Sequence, residues 1–297
     1  MVSVTWMLRS SATAVLFPGQ GSHVPGMRDL VAAARPDLLE AVLELVGDDP
    51  FARVEDSTRF AQPAIFCASL AGWGRLQGLV DPVALAGHSL GELTALTAGG
   101  AVDEHAALEL VVLRGALMAE SGERSGGGTM LALLGGTQAQ AAKLAARHGV
   151  SLANDNAPGQ VVLSGDADRL KAVAAAARED GLRALALDVA GAFHSPQMQG
   201  AVAPFAAALA EVAWRTPTVP VLSCASAKPF VDPATELAQA LVRPVQWRRT
   251  MEALVADGAT AVVDAGPGQV LAKLARRCAP DIGAAAAATL LESADVA

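Results

Sequence analysis

Short apolar runs alternate with longer segments of helical spacing along most of this chain, which limits the folds it can adopt. The apolar runs lie at residues 12–17, 83–86, 219–224 and 261–263. Such runs suit strands buried on both faces, and the helices between them are the crossovers that parallel strands need. The sequence therefore predicts an α/β fold with a mostly parallel sheet. The helices are expected at about residues 30–46, 63–79, 90–98, 104–121, 138–148, 166–180, 196–212, 235–242, 247–257 and 270–277.

A different order of elements is predicted for residues 129–189. The pattern there indicates a strand, a helix, two strands joined by a turn at 156–159, a helix and a strand. This β-α-β-β-α-β order is the ferredoxin-like pattern. The preceding segment, 121–128, is rich in glycine and serine and is typical of a linker. We therefore expect a small ferredoxin-like subdomain at 129–189, inserted in a larger body formed by 1–128 and 190–297.

Charge and cysteine spacing argue against several classes of function. The chain has 22 Lys and Arg against 30 Asp and Glu, whereas nucleic-acid binders usually carry a basic surplus. No stretch has the roughly 18 consecutive apolar residues that a membrane span needs. The three cysteines are widely separated without metal-ligand spacing, and residues 1–14 lack the apolar run of a signal peptide. We expect a cytoplasmic protein without a bound metal.

The first candidate for a catalytic residue is Ser89, in the sequence Gly-His-Ser-Leu-Gly at 87–91. The G-x-S-x-G pattern places a serine on a sharp turn between a strand and a helix, where flanking glycines permit a cramped backbone. The apolar run 83–86 and the helical spacing after Ser89 supply that context. The helix N-terminus would offer backbone N–H groups to a developing oxyanion. The alternative is a serine in an ordinary glycine-flanked turn.

A serine nucleophile needs a base within hydrogen-bond reach, and we expect His194 to supply it. Of the five histidines, His105 and His148 lie near exposed helix ends. His88 adjoins Ser89 on a turn, where neighbouring side chains usually point apart. His194 follows the last predicted strand of the small subdomain, where the chain returns to the body and a cleft is common. A crossover-loop histidine without a catalytic role is the alternative.

Arg114 lies on the apolar side of its predicted helix. The residues three and four positions away are Leu110, Val111, Leu117 and Met118. None of them is a carboxylate, and burying an unpaired charge is costly, so another group must compensate it. The sequence leaves three solutions open: a distant acid, a bound carboxylate held by the guanidinium fork, or extension of the side chain to the surface.

Together these motifs resemble the malonyl-CoA:acyl-carrier-protein transacylase family, which includes the acyltransferase domains of polyketide synthases. The resemblance covers nearly the whole chain, and its motifs occur in family order. The family has an α/β-hydrolase-like body with a ferredoxin-like insert, so the resemblance implies that fold here. The matching segments are 17–22, 87–92, 114–115, 156–162, 192–195, 244–247 and 266–268.

The resemblance also implies roles for individual residues. Ser89 would be the covalent nucleophile and His194 its base. The backbone N–H groups of Gln20 and Leu90 would form the oxyanion hole. Arg114 would bind the free carboxylate of malonate.

Three further residues are implied to support this site. His88 stands beside the nucleophile in the serine motif. The backbone carbonyl of Gln246 would orient His194, in place of an aspartate. Phe193 resembles the residue found at this position in malonyl-selective members of the family. Its ring would crowd the branched α-carbon of methylmalonate.

The implied activity is transfer of a malonyl group from coenzyme A to the phosphopantetheine thiol of an acyl carrier protein, in fatty-acid or polyketide synthesis. A ping-pong reaction of this kind needs no cofactor, because the coenzyme A thioester is the substrate. The expected partners are malonyl-CoA and the phosphopantetheinylated carrier protein, and we expect a monomer. Basic residues that could form a local patch for an acidic carrier are Lys228, Arg248, Arg249, Lys273, Arg276 and Arg277.

Two other classes of protein stay open. A patatin-like serine hydrolase would use an aspartate base in a D-G-A setting, which Asp257-Gly258-Ala259 offers. That reading leaves Gln20, Arg114 and His194 without roles. A carrier-binding module without catalysis predicts loss of catalytic residues, and the sequence retains them.

Overall fold

The computed structural model describes residues 12–294, and within that range the protein is an α/β structure with one parallel and one antiparallel sheet. The expectation about a signal peptide falls mainly on residues 1–11, which lie outside the described range. No helix in that range is long and apolar enough to cross a membrane.

The described residues form nine strands in two sheets. The strands are β1 (Thr13–Phe17), β2 (Pro82–Gly87), β3 (Gly128–Leu134), β4 (Ser151–Ala157), β5 (Gln160–Asp166), β6 (Arg183–Leu187), β7 (Val221–Leu222), β8 (Ala261–Asp264) and β9 (Gly283–Ala286). The parallel sheet has the order β7-β2-β1-β8-β9. The antiparallel sheet has the order β4-β5-β3-β6.

Helices connect these strands along the chain. They are α1 (Met27–Ala34), α2 (Pro36–Val46), α3 (Thr58–Leu76), α4 (Gly91–Ala98), α5 (Glu104–Arg124), α6 (Gln138–His148), α7 (Ala167–Glu179), α8 (Gln199–Ala210), α9 (Pro233–Ala240), α10 (Trp247–Ala256), α11 (Val270–Cys278) and α12 (Ala287–Ala294). A short 3₁₀ turn, Pro196–Met198, precedes α8.

The parallel sheet is buried on both faces, as its apolar runs predict. Every residue of β1 is buried, and alternate side chains enter different clusters. Val15 and Phe17 pack in the cluster that includes α3 and α4, whereas Ala14 and Leu16 pack in the one that includes α10 and α11. Because helices cover both faces of the sheet, packing fixes the positions of its strands. The functional loops follow the C-terminal ends of these strands.

The antiparallel sheet also packs on both faces. In β3, Leu131 and Leu133 belong to a cluster with α6 and α7, while Met130 and Ala132 join the main core. Backbone hydrogen bonds add to this packing: Val245 donates to Ala153 and its carbonyl accepts from Asp155, both at 2.8 Å. The second sheet is thereby fixed against the segment that leads into α10.

Several predicted elements differ from the structure: the strand expected at 219–224 is only Val221–Leu222, and the helix expected at 196–212 begins as a 3₁₀ turn and ends at Ala210. The helix predicted at 30–46 is two helices, broken at Arg35, because the ring of Pro36 disfavours helical backbone in the residue before it. The helix predicted at 63–79 begins five residues earlier, after the cap residue Ser57, and accommodates Pro63 in its second turn. The segment 121–128 is not all linker, because α5 runs to Arg124.

Candidate active site

Ser89 stands on a sharp turn between β2 and α4. Its φ is 54°, in the left-handed region that is strained for a residue with a side chain. Both glycines are required: a Cβ on Gly87 would collide with the backbone of Gly91, and one on Gly91 would collide with the carbonyl of Phe17. The chain thus forms the strand, turn and helix that the G-x-S-x-G pattern predicts, and the serine is presented at the end of the sheet.

The structure brings His194 to Ser89, 105 residues away along the chain. Nε2 of His194 lies 2.8 Å from the Ser89 hydroxyl oxygen. On the other side of the ring, Nδ1 lies 3.0 Å from the carbonyl of Ala240 and 3.1 Å from that of Arg243. Since carbonyl oxygens only accept, they place the ring proton on Nδ1 and leave Nε2 to accept from the serine.

The prediction that the Gln246 carbonyl orients His194 is wrong. Gln246 caps α10, so its carbonyl accepts the backbone N–H of Thr250 at 3.0 Å. The carbonyls that face His194 come instead from Ala240, the last residue of α9, and from Arg243 in the turn that follows it. The backbone N–H of Gln246 donates to the Cys224 carbonyl at 2.7 Å.

The electrostatic environment keeps His194 neutral. Burial, followed by the nearby Arg114 charge, lowers the pKa of His194 to about 3. Like Ser89, His194 has a left-handed backbone, with φ of 57°. Strained backbone at both members of a hydrogen-bonded pair is typical of a functional site.

Arg114 is buried on α5, with 4% of its surface exposed, so extension of its side chain to the surface is excluded. Nη1 donates to the Gln62 side-chain oxygen at 2.6 Å, and Nη2 donates to the Ser89 hydroxyl at 3.1 Å. Gln62 is itself fixed, because its amide donates to Thr58 at 2.7 Å and contacts the Met118 sulfur at 3.3 Å.

A distant acid does not pair with Arg114. No carboxylate among the described side chains, residues 12–290, forms an ion pair with it, and Glu92 acts on it only through the electrostatic field. Burial lowers the pKa of Arg114 to about 10, and the charge of Glu92 opposes that shift. A guanidinium has five N–H donors, and two are used here, so the remaining ones are available to a bound carboxylate.

The predicted oxyanion donors lie beside the serine. Gln20 and Leu90 line the same cavity as Ser89. Neither of their backbone N–H groups donates a hydrogen bond within the part of the chain that the structure describes. Their role in the reaction stays a prediction, but free N–H groups at this place are what it requires.

His88 points away from Ser89, toward the antiparallel sheet. Its Nε2 lies 2.9 Å from the side-chain oxygen of Asn156, and its ring contacts Trp247 with 5.4 Å between centroids. Burial lowers the pKa of His88. The contacts indicate that His88 fastens the turn to the second sheet.

The cavity at Ser89 has a volume of about 230 Å³. Much of its wall is apolar and comes from the antiparallel sheet, from α5, from the residue after Ser89 and from the loop before His194. These apolar residues are Leu90, Met118, Met130, Leu187, Val189 and Phe193. The side-chain oxygen of Asn154, another lining residue, is buried without a hydrogen-bond partner. The cavity therefore combines an apolar wall with a few polar groups that converge on Ser89.

Two functional neighbours were not predicted, Gln62 and Cys224. Gln62 could have been found in the same way as Arg114, because it is a polar residue inside an apolar stretch of a helix. Cys224 gives no signal, because its contact with the Ser89 backbone depends on the folded chain. Asp257, the base of the hydrolase reading, is exposed and lies outside the lining of the cavity.

Comparison with known proteins assigns a class to this arrangement. The family model described as "Acyl transferase domain" matches residues 15–293. The chain is thus an acyl transferase domain, in which the serine, histidine and arginine above occupy one cavity.

Particular relatives narrow the class. The malonyl CoA-acyl carrier protein transacylase of Escherichia coli strain K12 is 36% identical, over 92% of this chain and 94% of the relative. The crystal structure of the Xanthomonas oryzae transacylase has a TM-score of 0.89 at 33% identity, covering 97% of this chain and 98% of that chain. A malonyl-transacylase solved in complex with a type II polyketide synthase acyl-carrier protein has a TM-score of 0.87 at 31% identity, covering 97% and 100%. The chain belongs to the malonyl-CoA:acyl-carrier-protein transacylase family.

Proposed function

We propose that this chain transfers a malonyl group from coenzyme A to the phosphopantetheine thiol of an acyl carrier protein, through a malonyl ester on Ser89. The observation that supports this most directly is the position of the Ser89 hydroxyl oxygen. It lies 2.8 Å from Nε2 of His194 and 3.1 Å from Nη2 of Arg114. A base and a carboxylate-binding cation thus meet at one nucleophile.

The first half-reaction loads the enzyme. His194 takes the Ser89 proton through Nε2, and the serine oxygen attacks the thioester carbonyl. The backbone N–H groups of Gln20 and Leu90 stabilise the oxyanion. When the intermediate collapses, the C–S bond breaks and His194 returns its proton to the coenzyme A thiolate. The carbonyls on Nδ1 hold the ring in the tautomer that both transfers need.

The second half-reaction reverses this chemistry. The carrier's thiol gives its proton to His194 and attacks the malonyl ester, and the proton then returns to Ser89. Arg114 binds the malonyl carboxylate in both halves. Simple acyl groups leave its charge desolvated and unpaired, which selects against them. Phe193 lies on the cavity wall and is the residue proposed to favour malonyl over methylmalonyl units.

The architecture proposed for this reaction has two parts. Residues 1–128 and 190–297 form an α/β-hydrolase-like body, and residues 129–189 form a ferredoxin-like small subdomain. The order β4-β5-β3-β6 and the two helices on one face support the second assignment. Because the cavity is lined by Arg114 from one part and by Asn154 and Leu187 from the other, the cleft between them limits access of water to the ester.

The remaining features of the proposal concern partners and setting. The substrates are malonyl-CoA and a phosphopantetheinylated carrier protein, and the enzyme acts as a monomer in the cytoplasm. Acyl exchange between a thioester and a serine needs no redox cofactor, because no oxidation state changes, and in this mechanism backbone N–H groups rather than a metal stabilise the oxyanion.

Intact-protein mass spectrometry after brief mixing with malonyl-CoA tests the proposal. We expect a malonyl adduct on the wild-type protein, none on Ser89→Ala, and a strongly slowed one on His194→Ala. Ser226→Ala, which removes an exposed serine, serves as the matched control and keeps the adduct. An adduct that persists in Ser89→Ala would refute the assignment, and full activity of His194→Ala would point to a different base.

A further inference from the structure

A buried carboxyl group lies behind the nucleophile, on the side away from the substrate cavity. Glu92 belongs to the first turn of α4 and is only 1% exposed. It is absent from the lining of the Ser89 cavity, and the reaction above gives it no role. Burial raises the pKa of Glu92 to about 7, so the protein keeps an ionisable group where an apolar side chain would cost less.

Glu92 contacts Cys224, which follows the end of the neighbouring strand β7. Its carboxylate accepts the backbone N–H of Cys224 at 2.7 Å. The side chains of Ser223 and Cys224 also favour the charged form of Glu92, and they oppose the effect of burial on its pKa. Cys224 is 1% exposed and follows β7, the strand that pairs with β2.

Cys224 in turn contacts the nucleophile itself. The backbone N–H of Ser89 donates to the Cys224 sulfur at 3.4 Å. The carbonyl of Cys224 accepts the N–H of Gln246, in the segment that follows the carbonyls facing His194. One buried residue thus joins the serine turn to the segment beside the base, and Glu92 fixes that residue.

We propose that Glu92 is a positioning residue for the acylation of Ser89, acting through Cys224. The backbone of Ser89 is strained, so it keeps its conformation only where its surroundings hold it. The contact from Cys224 holds the serine N–H, and the carboxylate holds Cys224. Without that support the hydroxyl would leave its alignment with Nε2 of His194, and a displacement of about 1 Å can cost roughly 100-fold in rate.

This inference rests on the proposed function, because its measurement is the rate at which malonyl-CoA acylates Ser89. Quenched-flow mass spectrometry gives the rate constant and the KM for Glu92→Ala, Glu92→Gln, Cys224→Ala and Cys224→Ser. We expect the two alanine variants to lose about 10- to 100-fold in the rate constant, with KM changed less than about twofold. The glutamine oxygen and the serine hydroxyl can still accept the same N–H groups, so these variants should remain within about threefold of wild type.

Cys67→Ala is the matched control, because it also removes a fully buried thiol and lies in α3, away from the turn. It should leave the acylation rate constant unchanged. If Glu92→Ala does not fold, Cys224→Ala still tests the contact with Ser89 through which Glu92 would act, since it leaves the Glu92 carboxylate in place. A wild-type rate in folded Glu92→Ala or folded Cys224→Ala, or a loss that appears in KM alone, would overturn the proposal. A wild-type protein that forms no adduct would instead refute the proposed function.

Discussion

Replacing Arg114 by alanine should remove the preference for malonyl over acetyl groups. Two of its five N–H donors are held by Gln62 and Ser89, which leaves three for a substrate carboxylate. Two charge-assisted hydrogen bonds at about 1.5–3 kcal/mol each give about 3–6 kcal/mol of discrimination. At about 1.4 kcal/mol per factor of ten, the ratio of kcat/KM for malonyl-CoA to that for acetyl-CoA should fall about 10²- to 10⁴-fold.

The assay is acylation of the enzyme by each thioester, measured separately and expressed as that ratio. Arg124→Ala is the control, because Arg124 lies on the same helix but is exposed and pairs with Glu120. It should leave the ratio unchanged. If Arg114→Ala kept the ratio within about threefold of wild type, two hydrogen bonds of the assumed strength could not be present, and another group would have to bind the carboxylate.

Three further outcomes follow from the same structure. Because the pKa of His194 is lowered to about 3 in the folded state, the unfolded chain binds the extra proton below about pH 6.5, and stability falls with falling pH. Urea unfolding should therefore show wild type losing about 1.7 kcal/mol relative to His194→Ala between pH 6.5 and pH 5, and parallel curves would contradict this. Phe193→Ser should raise acylation by methylmalonyl-CoA relative to malonyl-CoA by a factor corresponding to about 1–3 kcal/mol, and an unchanged ratio in the same assay would exclude the ring as a selector. Arg249 and Lys273 are exposed and have no ion-pair partner in the described residues, so replacing both by glutamate should raise the carrier protein's KM without changing acylation by malonyl-CoA. An unchanged KM for the carrier protein would refute the prediction that these basic residues bind it.

The bounds of a helix could be predicted where the residues that start and end it are visible in the sequence. The helix predicted at 138–148 has those limits in the structure, because Thr137 and Gln140 form a capping box and Gly149 ends it in a left-handed conformation. The break at Arg35 has an equally local cause, the following proline, which helical spacing alone does not reveal. The strand β9 lies in a run of alanines, whose weak strand preference gives no signal before its pairing with β8 is known.

The site could be predicted where a motif brings its own chemistry, and not where the contact depends on the fold. Ser89 and His194 could be predicted from sequence motifs. In the structure both line the same cavity, and their side chains lie 2.8 Å apart. The carbonyls on His194 come from residues 46 and 49 positions further along. Which helix end supplies them is decided by packing, so the resemblance led to Gln246 although the structure has Ala240 and Arg243.

The absence of an acid beside His194 is consistent with the substrate this site is proposed to bind. A carboxylate on Nδ1 would raise the pKa of the ring and add a fixed negative charge near Arg114, where it would compete with the malonyl carboxylate. Carbonyl dipoles orient the ring and fix its tautomer without adding that charge. Glu92, a buried acid behind the turn, bonds to Cys224 and does not form an ion pair with Arg114. The arginine therefore keeps N–H donors without an acidic partner in the described residues, and in the proposed reaction a diacid unit would satisfy them whereas a simple acyl group would not.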